Sequence, residues 1–442
     1  MSLLIAGLTA LMTACAPDEI LDVEDPDIIN PSNVQSAAGA EAVRLGALSR
    51  FNAATSGDES LWFLGGLFTD EWVNGDSFIA RQEVDQRVIT VENNFVRDAN
   101  RQLHRARLSS KQAIELLREY NPSAPSWHVG EMFMVQAYMI NILAEHFCDG
   151  LIISNVEEGR EEYGSPITTQ AAFEQALTLV NEGLASVTGS TASDVRVRGA
   201  LALVKGRILT NLNRHADAAL AVATVPTSYQ YLNYQGQTTW SNAFWTWNLN
   251  SRRYSVGDSE GTNGLDFASA KDPRVPVCAG GDAACKTIGV TRADRDDLTR
   301  PFHVLMTWAG REGSIAIMQG VDARMIEAEA QLKAGNPGAA LATLNAARAT
   351  KGLAPLADAG TAEARLSQLF RERAFWQYGR GYRTGDLRRL IRQYGRTQAA
   401  VFPVGAWHKG GNYGTDVDMP VPQAEQNNPQ LGLGKSCMAR GA

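Results

Sequence analysis

The sequence predicts a mainly α fold: tetratricopeptide-like helix pairs forming a scaffold, joined to a loop-rich, aromatic-rich binding half. Three observations carry this. Apolar residues recur at helical spacing along most of the chain, and one helix–turn–helix is spelled out at 321–351. Between about 229 and 314 the periodicity lapses while aromatic residues gather.

The hairpin at 321–351 is the clearest element. Val321, Met325, Ala328 and Leu332 make one apolar stripe. Gly335 stands where a helix end favours positive φ, Asn336 can cap the next helix, and Pro337 suits its first position. Ala340, Leu344 and Ala347 then share a face and are small enough for close backbone approach. Neither helix can bury its stripe alone, so neighbouring pairs are expected.

Those neighbours follow in order. Helical patterning begins near Val34 and runs to Leu48, followed by an apolar segment with Trp62, Phe63, Leu64 and Leu67. A longer pair spans about 96–117 and 127–147, and further helices span about 170–187, 197–212 and 216–222. The triplet Ala218-Ala219-Leu220 repeats Ala339-Ala340-Leu341, each after an amphipathic helix and a turn. Beyond the hairpin come a helix over about 361–378, an arginine-dense stretch through Arg396, and Gly- and Pro-rich coil over 397–442.

With 442 residues, 44% hydrophobic and 20% charged, the chain is neither wholly disordered nor a polytopic membrane protein. A net charge of −7 argues against nucleic-acid partners. The arginines from Arg371 to Arg396 therefore read as paired structural groups.

The first residues read as an export signal. Leu3 to Met12 is apolar but too short to span a bilayer, and Thr13-Ala14-Cys15 closes it. Residues 1–14 are expected to be a lipoprotein signal peptide, with Cys15 lipidated and an acidic, proline-containing tether over 15–33. Residues 34–442 form the folded unit. Without Cys15, four cysteines remain for an oxidising compartment and three pairings are formally possible. The Gly-containing turn between Cys278 and Cys285 favours a local bridge, leaving Cys148 and Cys437 for each other.

Sugar rings stack their C–H faces on aromatic side chains, and their hydroxyls need amide, carboxylate or guanidinium partners. Trp240, Asn242, Trp245, Trp247, Asn248, Arg252 and Tyr254 supply both and are the candidate ligand-binding residues. Trp62, Trp72, Asn74 and Asp76 form a second, weaker candidate. No catalytic residue is assigned. Gly257-Asp258-Ser259-Glu260-Gly261 fits G-x-S-x-G, but no strand before it or helix after it is expected to aim the serine. The six histidines are scattered, with no H-E-x-x-H and no close pair, so neither metal nor cofactor is expected.

Several short segments form an ordered series along the chain. They are Cys15 with Leu21-Asp22-Val23 and Asn30-Pro31-Ser32-Asn33, then Ala137-Tyr138 leading to His146-Phe147-Cys148-Asp149-Gly150. Ile326-Glu327-Ala328-Glu329-Ala330 with Gly335-Asn336 follows, then Arg371-Glu372-Arg373 and Asp386-Leu387-Arg388-Arg389. Pro420-Val421-Pro422-Gln423 and Asn428-Pro429 complete the series, which as a whole resembles the SusD/RagB family of outer-membrane nutrient-uptake lipoproteins. Cys148 stands where the family commonly has Gly, and Thr384-Gly385 replaces a frequent aromatic pair. The resemblance implies an outer-membrane lipoprotein, anchored by lipid only and facing the exterior. It implies capture of oligosaccharide, or peptide in some members, for a partner TonB-dependent transporter of SusC type. It transfers no ligand-contact residue by position. The alternative is a tetratricopeptide-type scaffold lipoprotein that binds peptide or protein rather than glycan.

Overall fold

The computed structural model describes residues 34–157, 160–238, 241–431 and 437–442. The signal peptide, Cys15 and the tether lie outside these residues, as does Trp240. The chain opens with helices α1 (Ala37–Ser56) and α2 (Leu61–Leu67), strand β1 (Trp72–Asn74) and helix α3 (Ile79–Gln86). The pair α4 (Asn94–Tyr120) and α5 (Ser126–His146) follows. Four short strands, β2 (Leu151–Ile152), β3 (Asn155–Glu157), β4 (Arg160–Glu162) and β5 (Pro166–Ile167), lead to α6 (Thr169–Ser186), α7 (Ala192–Asn211) and α8 (His215–Val222).

The middle segment carries β6 (Gln230–Asn233), a π-helix (Trp245–Asn250), β7 (Tyr254–Val256), β8 (Val277–Ala279), α9 (Ala283–Thr287), β9 (His303–Leu305) and β10 (Ile315–Gln319). The chain then returns to helices: α10 (Gly320–Lys333), α11 (Pro337–Ala349), α12 (Ala362–Trp376), α13 (Arg383–Arg392) and the single turn α14 (Gln398–Val401). No helix among the described residues is long and apolar enough to cross a membrane.

The helices pack in sequence as pairs, α4 on α5, α6 on α7, α7 on α8 and α10 on α11, with α8 also against α10. This is the expected scaffold. Helix α5 is buried on all sides from Gly130 to His146, which explains why its sequence is apolar all round instead of striped. In the predicted hairpin, Val321, Met325, Ala328, Ala340, Leu344 and Ala347 are all buried, and Gly335 has φ 76°. Pro337 opens α11, but Asn336 makes no side-chain capping bond.

The strands are short and pair far apart in sequence: β1 runs antiparallel to β7, β6 to β10, and β8 to β9. Beneath them an aromatic cluster joins the loop-rich half to the scaffold. Phe63 lies 4.5 Å from Phe244 and 4.7 Å from Tyr254, and Trp72 lies 5.2 Å from Tyr378. Gly381, at φ 68°, permits this packing, because a Cβ there would stand 2.3 Å from Cδ1 of Trp62.

The arginine-dense stretch fastens the helices to one another. Arg373 donates to Asp386 at 2.7 and 2.8 Å, Arg380 to Asp322 at 2.6 and 2.9 Å, and Arg383 to Asp70 at 2.6 and 2.7 Å. Arg388 instead donates to the carbonyls of Ala144, Glu145 and Phe147 that end α5.

Disulfides join Cys278 to Cys285 and Cys148 to Cys437. The second closes a separation of 289 residues against 7 for the first, so it restrains the unfolded chain more. Replacing both Cys148 and Cys437 by Ser is expected to lower stability by about 2–4 kcal/mol, and the matching change at Cys278 and Cys285 by less. Urea unfolding of the two double variants measures this; a larger loss from the local pair would contradict it.

Candidate functional site

The segment predicted to bind ligand divides sharply by exposure. Asn242, Asn248 and Tyr254 are buried, and their polar atoms serve the fold. Asn242 accepts from the Trp245 amide at 3.0 Å and donates to Gly313 O at 2.7 Å, which starts the π-helix and pins it to the 311–313 loop. Asn248 donates to Tyr254 O at 2.7 Å and accepts from the Leu305 amide at 2.8 Å, tying β7 to β9. Burial and the neighbouring Glu59 push the Tyr254 phenol well above its ordinary range, so it stays a donor, to Glu59 at 3.1 Å. All three are buried, and their polar atoms are engaged by the fold.

Trp245, Trp247 and Arg252 are half-buried and remain accessible. Arg252 is pinned by two carbonyls, Asp294 O at 2.7 Å and Arg295 O at 2.8 Å. Trp245 has the Arg311 guanidinium 5.5 Å from its ring centroid. Trp247 is fixed by its indole N–H, which donates to Asp58 at 2.7 Å. The guanidinium carbons of Arg81 and Arg253 each lie 5.1 Å from its ring centroid. The π-helical winding of this stretch sets the two tryptophans on one turn.

The second candidate also proves to be support. Trp62, Trp72, Asn74 and Asp76 are all buried. Asn74 accepts from the Asp76 amide at 3.0 Å and Asp76 from the Phe78 amide at 2.9 Å, two successive side-chain turns that end by presenting Phe78. Asp76 and Glu59 both take the buried Arg81, which sits 5.0 Å from the Phe78 ring. Phe78 is 50% exposed and Ile79 72%, so the surface beside Trp247 carries apolar groups that sequence reasoning did not single out. They stand at the start of α3, where the short helix gives little periodicity to mark which residues face outward.

Trp247 and Phe78, both within reach of the Arg253 guanidinium, thus form a patch with aromatic faces and a cationic group side by side. Such a surface can hold a ring with one apolar face and hydroxyl edges. Ser259, in the G-x-S-x-G match, is exposed at φ 60°. A three-residue strand does precede it, against expectation, because β7 finds a partner in β1; turns follow instead of a helix. Among the described residues, Ser259 Oγ has no hydrogen bond to a histidine. Cys278, Asp282 and Cys285 lie close together, but the two sulfurs are bonded to each other and are not free ligands.

The whole architecture has close counterparts among solved structures. A SusD superfamily protein from Parabacteroides distasonis aligns with a TM-score of 0.67 at 13% identity, covering 89% of this chain and 98% of that one. A SusD-like carbohydrate binding protein from Bacteroides fragilis aligns at 0.66 and 14% identity, over 90% and 99% of the two chains. A laminarin binding SusD-like protein aligns at 0.60 and 15% identity, over 89% and 98%. No protein-family profile matches the chain, and no curated protein sequence does. The chain has the SusD-like fold, in agreement with the resemblance read from its motifs.

Proposed function

We propose that this protein is a non-enzymatic, lipid-anchored outer-membrane protein, facing the exterior, that binds an oligosaccharide and delivers it to a partner SusC-like TonB-dependent transporter. The observation that carries the reading is Trp247, half-exposed, held by Asp58 and flanked by exposed Phe78 and by Arg253. Aromatic rings fixed before ligand arrives lose little entropy on binding, which suits a capture protein. The fold is shared with a protein described as binding laminarin, which supports a glycan as ligand. Lipid attachment at Cys15 and the transporter partner rest on the sequence resemblance.

The test is calorimetric titration of short laminarin-type oligosaccharides. Trp247→Ala is expected to weaken binding about tenfold, or about 1.4 kcal/mol, in a protein that still folds cooperatively. Full retention of affinity in both Trp247→Ala and Trp245→Ala would remove this surface from the assignment. A covalent serine probe is expected to leave Ser259 unlabelled.

One observation favours the peptide-binding alternative. A cavity of about 950 Å³ opens at the scaffold's end between Leu332, Pro337, Leu366 and Tyr394. A peptide pull-down beside the glycan titration separates the readings.

A further inference from the structure

One buried guanidinium lies beneath the Trp247 surface. Arg81, on the first turn of α3, is 2% exposed. Its guanidinium carbon lies 4.7 Å from the ring centroid of Phe95, 5.0 Å from Phe78, 5.1 Å from Trp247 and 5.7 Å from Tyr254. These rings come from α4, the N-cap of α3, the π-helix and β7. The N–H groups of Arg81 go to carboxylates: Nε donates to Glu59 at 3.2 Å, and the terminal nitrogens pair with Glu59 and Asp76. The two loops that supply those carboxylates also hold the exposed rings directly. Asp58, beside Glu59, accepts the Trp247 indole N–H at 2.7 Å, and Asp76 accepts the Phe78 amide at 2.9 Å. Glu59 has φ 52°, a left-handed conformation that is costly for a residue with a Cβ, and in it the consecutive carboxylates reach Trp247 and Arg81.

Deepening the glycan reading above, on which it rests, we infer that Arg81 is the positioning residue of this surface: it fixes the Trp247 and Phe78 rings relative to one another without itself reaching the ligand. A guanidinium can spend the N–H groups in its plane on carboxylates and still lie against a ring, whereas an ammonium is a compact point charge that cannot do both in one fixed geometry. The attraction between cation and ring is also stronger at a buried site than at an exposed one. Arg253 stands near the same two rings, 5.1 Å from Trp247 and 5.5 Å from Phe78. Its side chain is 31% exposed, however, and its carboxylate neighbour Asp296 is 3.6 Å away, so it is held less firmly. Without Arg81, the Trp247 ring keeps its bond to Asp58 and can pivot on it. A ring that pivots must be ordered when the ligand arrives, and that ordering subtracts from affinity.

The test titrates the full protein with short laminarin-type oligosaccharides, comparing wild type, Arg81→Lys, Asp76→Asn and the scaffold control Asp217→Ala. Nitrogen–proton NMR follows the indole N–H resonance of Trp247 in each, identified by its loss in Trp247→Phe. Arg81→Lys keeps a charge between Glu59 and Asp76 and gives up the planar fork. It is expected to fold cooperatively, to bind at least tenfold more weakly, and to shift or broaden the Trp247 resonance while those of Trp127 and Trp376 stay in place. Asp76→Asn keeps an acceptor for the Phe78 amide but withdraws one hold on Arg81, and it is expected to move both readings in the same direction. It decides the matter if Arg81→Lys does not fold. Asp217→Ala leaves both readings as in wild type. A purely structural Arg81 would instead give a lower unfolding midpoint with wild-type affinity and an unmoved Trp247 resonance in the folded protein; that result overturns the inference and leaves the glycan reading standing. If wild type binds none of these sugars while Trp247 responds to Arg81→Lys, the glycan reading falls and the hold of Arg81 on the ring stands.

Discussion

Replacing Glu329 by Ala is expected to cost about 3–5 kcal/mol of folding stability, a large part of the 5–15 kcal/mol typical of a native protein. Glu329 lies on α10 with 1% exposure and is the hub of an ion network in the scaffold. Both its oxygens accept from Arg389, one also accepts from Tyr394 at 2.6 Å, and Arg373 lies 3.5 Å away. Asp386 completes the group by taking both arginines, Arg389 at 2.8 Å. Burial alone would raise the Glu329 carboxyl, but Arg389 and Arg373 outweigh it and hold the group below the ordinary range.

Deleting it leaves two buried guanidinium groups facing one carboxylate, and the unmatched charge sets the cost. The control is Asp217→Ala. Asp217 pairs with Arg214, and both side chains are about half exposed, 49% and 47%, so its loss should stay within about 1 kcal/mol. Urea unfolding of both variants decides the point. A loss from Glu329→Ala no greater than that from Asp217→Ala would show that the network is not what holds α10, α12 and α13 together.

That network also shows what could be read in advance. The hairpin was legible because its signals are local: a stripe of four residues, Gly at the turn and Pro at the next start all lie within one continuous stretch from Val321 to Pro337. The structural role of the arginines was legible from net charge, which left them no nucleic-acid partner. Their actual partners were not. Arg383 meets Asp70 across 313 residues, and nothing in either neighbourhood marks the other.

The candidate site was legible only as a region. Tyr254, Trp72 and Trp247 are all aromatic residues next to polar ones, yet the first two have no exposure and the third is half-buried. What separates them is the pairing of β1 with β7, and strands of three residues are too short to show an alternating pattern. The π-helix is equally silent in sequence, because its extra residue per turn is set by the fixed bonds of Asn242 and Asn248 to other loops. Phe78 owes its exposure to buried Asn74 and Asp76, residues whose type suggested ligand contact.

Between about pH 5 and 8 Glu71→Gln is expected to gain stability steadily relative to the wild-type protein. Glu71 follows the Asp70 that holds Arg383, and it is buried with its carboxyl against the Gly379 amide, 3.0 Å away. Its other oxygen has no partner among the described residues. Burial pushes the carboxyl up to about 8, further aided by the charges of Asp70 and Asp386; the Gly379 amide and Arg383 lower it only in part. At low pH, folded and unfolded chains both hold the proton. As pH rises past the ordinary glutamate range the unfolded chain releases it while the folded chain keeps it, so stability falls until the folded carboxyl ionises near 8. A shift of this size corresponds to several kcal/mol.

The paired carboxylates act in the opposite sense and in another window. Asp386 is depressed to about 2, and Asp322, Glu145 and Glu329 lie below their ordinary values, so their contribution is lost on acidification below about pH 4. Glu71→Gln keeps an acceptor for the Gly379 amide but cannot ionise. The variant should match wild type near pH 5, exceed it at pH 8, and retain the acid limb. Urea midpoints at pH 4, 5, 6.5 and 8 test this, and parallel profiles for the two proteins would mean that Glu71 is ionised in the folded state across the range.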